Sequence, residues 1–204
     1  MSEKYIFEEY RNIGGPDELP DTEVTGIQRC IRTGFSGGIR DDDAREHMLG
    51  DQIIVVRDPS FVSPEDGTSV VGFTSTLIAS PYDLFKYEDT SRQPAGYFAG
   101  AALDARYQGK GLYGELFSRR FNFVAEHDVD SIFTRTQNPA VFKGMSRALE
   151  NLIIAGDIRS YNFGQRICER AYYGRLKTDM RTEFPYVDSD AGDALLLMWQ
   201  LQRW

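Results

Sequence analysis

The chain has 204 residues, with 23 Lys plus Arg against 31 Asp plus Glu and a formal net charge of −8. That length suits one domain with a substantial core, and the acidic balance disfavours nonspecific nucleic-acid binding while mildly favouring a cationic substrate. The densest apolar run, Ala194 to Trp199, is too short to span a membrane, and Cys30 and Cys168 are too few for a disulfide framework, so both read as free, buried thiols.

Met1-Ser2-Glu3-Lys4 lacks the charged-then-apolar pattern of a secretory signal, and a cytoplasmic location is expected. Tyr5 to Tyr10 alternates and reads as a first strand, ended by Gly14-Gly15-Pro16. Asp21 or Thr22 can cap a helix running to about Thr33, with Val24, Ile27, Gln28 and Ile31 at helical spacing. A short acidic helix is expected over Asp41 to Leu49. Its run Asp41-Asp42-Asp43 is read as acids favouring a helix N-terminus rather than as ligands, so no metal site is expected.

Gln52 to Arg57 and Ser69 to Ala79 read as two strands of an antiparallel hairpin, and Ser80 to Pro94 as a polar loop carrying aromatics. Tyr97 to Asp104 is a third strand of that sheet, rich in Ala and Gly. Leu112, Leu116, Phe117, Phe121 and Val124 make one apolar helix face ending near His127. Ser131 to Thr136 is a strand, Pro139 to Leu149 a helix, Gln165 to Leu176 a helix, and Ala194 to Gln202 a terminal strand. The order describes an α+β (mixed α/β) fold, with hairpins first and a βαβ unit around residues 97–136.

That βαβ unit holds the most informative segment, Arg106-Tyr107-Gln108-Gly109-Lys110-Gly111-Leu112-Tyr113-Gly114. A glycine-bearing turn feeding a helix N-terminus presents unpaired N–H groups at the positive end of a helix dipole, which suits a phosphate or diphosphate. Gly109-x-Gly111-x-x-Gly114 matches the dinucleotide fingerprint, but the ribose-binding acid expected at the end of the next strand is replaced by Arg135-Thr136-Gln137. A Walker A loop is excluded because Gly111, not Ser or Thr, follows Lys110.

Read with both flanks, Leu103-Asp104-Ala105-Arg106-Tyr107-Gln108-Gly109-Lys110-Gly111-Leu112 resembles the acetyl-CoA-binding segment of the GCN5-related N-acetyltransferase (GNAT) superfamily. That motif runs Gln or Arg, x-x-Gly-x, then Gly or Ala. Two registers fit, Arg106-x-x-Gly109-x-Gly111 and Gln108-x-x-Gly111-x-Tyr113. The second is preferred because it opens the helix at Leu112, although Tyr113 then stands where the family has a small residue. Thr136-Gln137-Asn138-Pro139 resembles the next motif, whose Asn helps hold the pantetheine arm; Asn138 also suits the N-cap of the following helix.

The resemblance implies a central, mostly antiparallel sheet with a βαβ cofactor-binding unit and flanking helices. It implies a single acyltransferase domain over 1–204, with no motif support across 151–193 and a C-terminal strand at about 194–203. Acetyl-CoA or another acyl-CoA is the implied co-substrate, with Leu103, Asp104, Ala105, Gln108, Gly109, Lys110, Gly111, Leu112, Tyr113 and Asn138 around it. A small-molecule or peptide amine is the implied acceptor, and a homodimer is compatible with the resemblance; no nucleic acid or membrane partner is expected. The family's thiolate-protonating Tyr falls on Met145 here, with Phe142 and Lys143 nearby, and no Tyr occurs between Tyr113 and Tyr161. Candidate proton-transfer residues are Asp104, Tyr161, Tyr172 and Tyr173, with Glu88 and Asp89 in the preceding loop; His47 and His127 read as helix-end residues. The missing Tyr keeps an alternative open, a nonenzymatic acyl-CoA-binding or regulatory domain of the same fold.

Overall fold

The computed structural model describes residues 4–34, 44–45, 47–87, 90–171, 184 and 186–204. Its strands are β1 Ile6–Ile13, β2 Gly50–Arg57, β3 Val70–Ala79, β4 Ala95–Leu103, β5 Ser131–Thr136, β6 Ser160–Cys168 and β7 Ala194–Gln202. They form one sheet in the order β1-β2-β3-β4-β5-β7-β6. The β1–β2, β2–β3, β5–β7 and β6–β7 pairs are antiparallel, and β4–β5 is parallel at Gly96↔Ile132 and Tyr97↔Phe133. The helices are α1 Asp21–Gly34, α2 Pro81–Phe85, α3 Leu112–Glu126 and α4 Pro139–Ala155. This is the expected α+β fold with a mostly antiparallel sheet. The chain divides into two compact units, Met1–Leu77 with Phe98–Leu112 and Ile78–Tyr97 with Tyr113–Trp204.

In the first unit, the apolar face of α1 (Val24, Ile27, Cys30, Ile31) packs on Ile53 and Val55 of β2, Val70 and Phe73 of β3, and Ala102 of β4. Each fully buried aliphatic side chain of this kind contributes about 1.5–3 kcal/mol. Gly26 permits the close approach of helix to strand: a Cβ there would stand 2.5 Å from the Cβ of Val70. Gly72 does the same for β4, since its Cβ would meet Leu103 Cδ2 at 2.3 Å.

In the second unit, Leu116, Phe117, Phe121 and Val124 of α3 are buried, and Val124 occupies the space beside Gly96 where a side chain would otherwise lie. Strand β7 is buried from Ala194 to Leu197 because β5 and β6 pair on either side of it. A cluster of Ala95, Phe133, Cys168 and Leu196 is roofed by Phe85, Tyr87 and Tyr97, with Tyr97 stacked on Phe133 at 4.9 Å. Cys30 and Cys168 are both free and buried, as expected.

Several boundaries differ from the sequence reading. Gln165 to Cys168, expected in a helix, form the end of β6, because Gln165↔Leu197 and Ile167↔Leu195 pair with a buried strand whose ladder overrides local helical spacing. Residues 172–176 of that expected helix lie outside the described residues. Helix α4 continues past Leu149 to Ala155, where Gly156 (φ +84°) provides the left-handed C-cap. The expected loop after β3 opens with α2, capped by the Ser80 side chain accepting from Asp83 N. Strand β1 continues to Ile13, paired with Gly50. Of the acidic helix expected over Asp41 to Leu49, residues 44–45 are helical, whereas 41–43 and 46 lie outside the described residues. Among the described residues, no helix is long and apolar enough to cross a membrane.

Candidate functional site

The end of β4 and the turn that follows are held by an ion-pair cluster. Asp104, 2% exposed, is the N-cap of a short 3-10 turn, Ala105–Tyr107. Its Oδ1 accepts from Arg106 N at 3.0 Å and Arg106 Nε at 2.9 Å, and its Oδ2 from Arg106 Nη2 at 2.7 Å and Arg29 Nη1 at 2.6 Å. Arg29, 1% exposed on α1, also donates from Nε to Asp66 Oδ2 at 2.8 Å and from Nη2 to the Val70 carbonyl. The Arg106 and Arg29 guanidinium carbons stand 4.4 and 5.6 Å from the Phe61 ring. Hydrogen bonds from Arg106, with the charge of Arg29 behind them, hold the Asp104 carboxyl below the ordinary carboxylate range. A carboxylate so engaged is a poor proton acceptor. Asp104, expected as a proton-transfer candidate, is thus placed as an anchor of the turn with both carboxylate oxygens engaged.

Tyr107 supplies a second anchor. Its hydroxyl donates to Asp58 Oδ2 at 2.8 Å, and its ring meets Tyr5 and Phe61 edge-on at 6.1 and 5.8 Å. Burial, reinforced by the Asp58 bond, pushes the Tyr107 hydroxyl up to about 12. The Lys110 ammonium stands 4.5 Å from the centre of the same ring.

Beyond these anchors the backbone changes hand. Gly109 and Gly111 adopt φ of +76° and +81°, and a Cβ on either would meet nothing within 4 Å. Glycine is thus required by the backbone conformation and not by space. Helix α3 opens at Leu112 directly after Gly111, as the preferred motif register expects, and the first N–H groups of a helix have no intrahelical acceptor. Gln108 donates from Nε2 to the Leu103 carbonyl at 3.3 Å, tying the turn back to the strand end. Ala105, Gln108, Gly109, Lys110 and Gly111 are exposed, and Leu112 is buried. This open run of left-handed glycines fits a diphosphate held by main-chain N–H groups.

In the second unit, Tyr113 lies on the first turn of α3 with its ring against Gly144 of α4: a Cβ there would stand 3.3 Å from Tyr113 Cε1. Asn138 caps α4, its Oδ1 accepting from Ala140 N at 2.9 Å while its own N–H donates to Thr136 Oγ1 at 2.9 Å. The cap uses the side-chain oxygen and leaves the amide NH2 as a donor. Met145, in the slot expected of a Tyr, is fully buried. Phe142 packs on Phe163 and Phe184 at 5.2 and 5.7 Å. Tyr161 lies half-buried on β6 opposite Leu201. Tyr172, Tyr173, Glu88 and Asp89 lie outside the described residues. His127 Nδ1 stands 2.9 Å from the Phe123 carbonyl at the end of α3, as a helix-end residue would. His47 sits in a turn whose carbonyl would be 2.9 Å from a Cβ at Gly100, which seats that turn on β4.

Sequence reasoning missed Arg29, Asp66, Phe61 and Asp58, which brace the turn, and Gly144, which receives Tyr113. The one available signal was Arg29 itself, a charged residue between the buried Ile27 and Ile31 of an amphipathic helix; a buried guanidinium requires a carboxylate.

Comparison with solved structures shows the fold to be that of the GCN5-related N-acetyltransferases. A chain of the NatC complex bound to Gag peptide and CoA is 14% identical, with a TM-score of 0.60, over 98% of this chain and 100% of that one. The ribosomal-protein-S18-alanine N-acetyltransferase from Escherichia coli is 10% identical, with a TM-score of 0.56, over 98% and 96%. The diaminobutyrate acetyltransferase from Paenibacillus lautus, in complex with L-2,4-diaminobutyric acid and coenzyme A, is 15% identical, with a TM-score of 0.53, over 95% and 94%. No protein-family model and no curated protein matches the sequence. At these identities the likeness is one of fold.

Proposed function

We propose that this chain is an acetyl-CoA-dependent N-acetyltransferase that transfers the acetyl group directly to an amine of a small molecule or peptide. One observation carries the reading: in a chain of this fold, Gly109 and Gly111 are both left-handed in a braced turn that opens a long helix at Leu112. The main-chain N–H groups from Gly109 through Tyr113 hold the diphosphate, the Gln108 N–H being directed to the Ala105 carbonyl. The Asn138 amide donates to the pantetheine arm while its oxygen keeps the α4 cap. The Leu103 N–H, at the end of β4, polarises the thioester carbonyl.

The bound co-substrate supplies an activated acyl group; the chain supplies position. An ammonium acceptor has a pKa near ~10.4 and must lose a proton before it attacks. With Asp104 engaged by two guanidiniums, that proton leaves to water, and the CoA thiolate released as the amide forms takes up a proton from water or from a tyrosine, for which Tyr161 and Tyr173 are the candidates. The acidic chain, at a net charge of −8, favours a cationic amine over an anionic acceptor.

A second reading, an acyl-CoA-binding domain without transfer, is favoured by Met145, which is fully buried where the family resemblance expects a proton-donating Tyr. Release of free CoA thiol from acetyl-CoA across a panel of primary amines and N-terminal peptides separates the two. Amine-dependent thiol release supports the transferase. Saturable acetyl-CoA binding with no release above the hydrolytic background across the panel supports the binding domain.

A further inference from the structure

We propose that Arg29 is a positioning residue for the cofactor turn, acting from α1 through Asp104; the inference rests on the reading of Gly109–Gly111 as the diphosphate site. The guanidinium uses all three nitrogens on three different segments: Nε on Asp66 in the β2–β3 connection, Nη1 on Asp104, and Nη2 on the Val70 carbonyl at the start of β3. Asp66 is itself fixed, its Oδ1 accepting from Thr68 N at 2.9 Å. Asp104 N in turn donates to the Val71 carbonyl at 2.9 Å, so the end of β4 is tied to β3 by main chain and to α1 by charge.

Asp104 passes this constraint forward. The oxygen that accepts from Arg29 also accepts from Arg106 Nη2, and the other oxygen fixes Arg106 N and Nε. Only two residues separate Arg106 from Gly109. Glycines have the widest conformational freedom of any residue, so a turn with two of them holds one shape only if its flanks are fixed. On the helix side the flank is the buried Leu112; on the strand side it is the Arg29–Asp104–Arg106 chain. The planar, five-donor geometry of arginine suits three acceptors in fixed directions, and a lysine could satisfy one of them.

The test compares wild type with Arg29→Gln and Arg29→Lys in two measurements. In ligand-free protein, amide hydrogen exchange at Asp104, Arg106 and Tyr107, whose N–H groups are hydrogen-bonded in the braced turn, is expected to quicken by about tenfold or more in Arg29→Gln relative to residues 53–56 of β2, as the charge-assisted bonds to Asp66 and Asp104 are lost. Titration with CoA is expected to show affinity weakened by about tenfold in Arg29→Gln and partly restored in Arg29→Lys. Unchanged exchange at the turn in a folded Arg29→Gln would overturn the positioning role, as would affinity equal to wild type. If Arg29→Gln does not fold, the pair Arg29→Met with Asp104→Leu removes both charges together. CoA affinity equal to wild type in that pair would overturn the inference, and weakened affinity would support it. Wild type that binds no CoA would sink the cofactor reading instead, while the exchange comparison still decides whether Arg29 sets the shape of the turn.

Discussion

The ring of Tyr113 lies against the backbone of Gly144, so closely that a Cβ at Gly144 would stand 3.3 Å from Cε1 and 3.5 Å from Cδ1. Position 113 is the one departure from the glycine motif, and the facing helix accommodates it by omitting a side chain. Gly in a helix interior costs about 1 kcal/mol relative to Ala, a cost that ring packing can offset. Gly144→Ala is therefore expected to give no stabilisation in wild type but a gain of about 1 kcal/mol when Tyr113 is Ala, a coupling that a double-mutant cycle by urea unfolding reads directly. Equal effects in both backgrounds would break the proposed link.

At Gly109 and Gly111 the constraint is backbone hand alone. Valine at either position is strained by about 1–2 kcal/mol in the left-handed region, with no clash to add. Gly111→Val is expected to leave a folded protein that binds acetyl-CoA at least tenfold more weakly, whereas Asn, which tolerates this region, should lose less. Calorimetric titration of the three proteins checks the order; affinity untouched by Gly111→Val would count heavily against main-chain recognition of the diphosphate.

Asn138 caps α4 and is proposed to donate from its amide to the pantetheine arm, two roles that substitution separates. Asn138→Asp keeps an N-cap acceptor at a helix N-terminus, and so should keep the melting temperature, while removing the amide donor proposed for the pantetheine arm. Asn138→Ala should lose both, with about 1 kcal/mol of stability. If Asn138→Asp binds acetyl-CoA like wild type, the residue is a cap only.

The braced turn also fixes how stability depends on pH. Asp104 is held low chiefly by the Arg106 hydrogen bonds, and Asp66 is also held low, its bonds to Thr68 and Arg29 outweighing burial. Carboxyls whose folded pKa lies below the unfolded value stabilise fully above that value, about 4, and the contribution is lost as pH falls through the folded pKa. Tyr10 and Tyr107 are pushed up to about 12, mainly by burial, so their contribution is complete below the unfolded value near ~10 and disappears as pH rises toward 12. Denaturation midpoints measured from pH 2 to 12 should fall at both ends, and Asp104→Asn should flatten the acid limb.

Local signals sufficed where an element's own residues determine it. Ser131–Thr136 and Ala194–Gln202 are found as strands with the expected bounds, and α3 begins at Leu112. The β2–β3 hairpin followed from a continuous Ile-Ile-Val-Val run and a long second strand on either side of a turn. Strand β6 did not follow, because Gln165, Ile167 and Cys168 have no strand periodicity until β7 supplies the partner. The glycine turn was legible from its residue types as a left-handed turn opening a helix. Its bracing was not, since Arg29 and Asp104 are 75 residues apart and nothing local marks them as a pair.

The central claim is that the Gly109–Gly111 turn receives the diphosphate of an acyl-CoA. Titrating acetyl-CoA into the purified protein, followed by heat release and by melting temperature, tests it most directly. The account predicts saturable binding at one site per chain and a melting temperature that rises with ligand, equivalent to about 2.7 kcal/mol at a hundredfold excess over Kd. No heat and no shift at millimolar acetyl-CoA would contradict it.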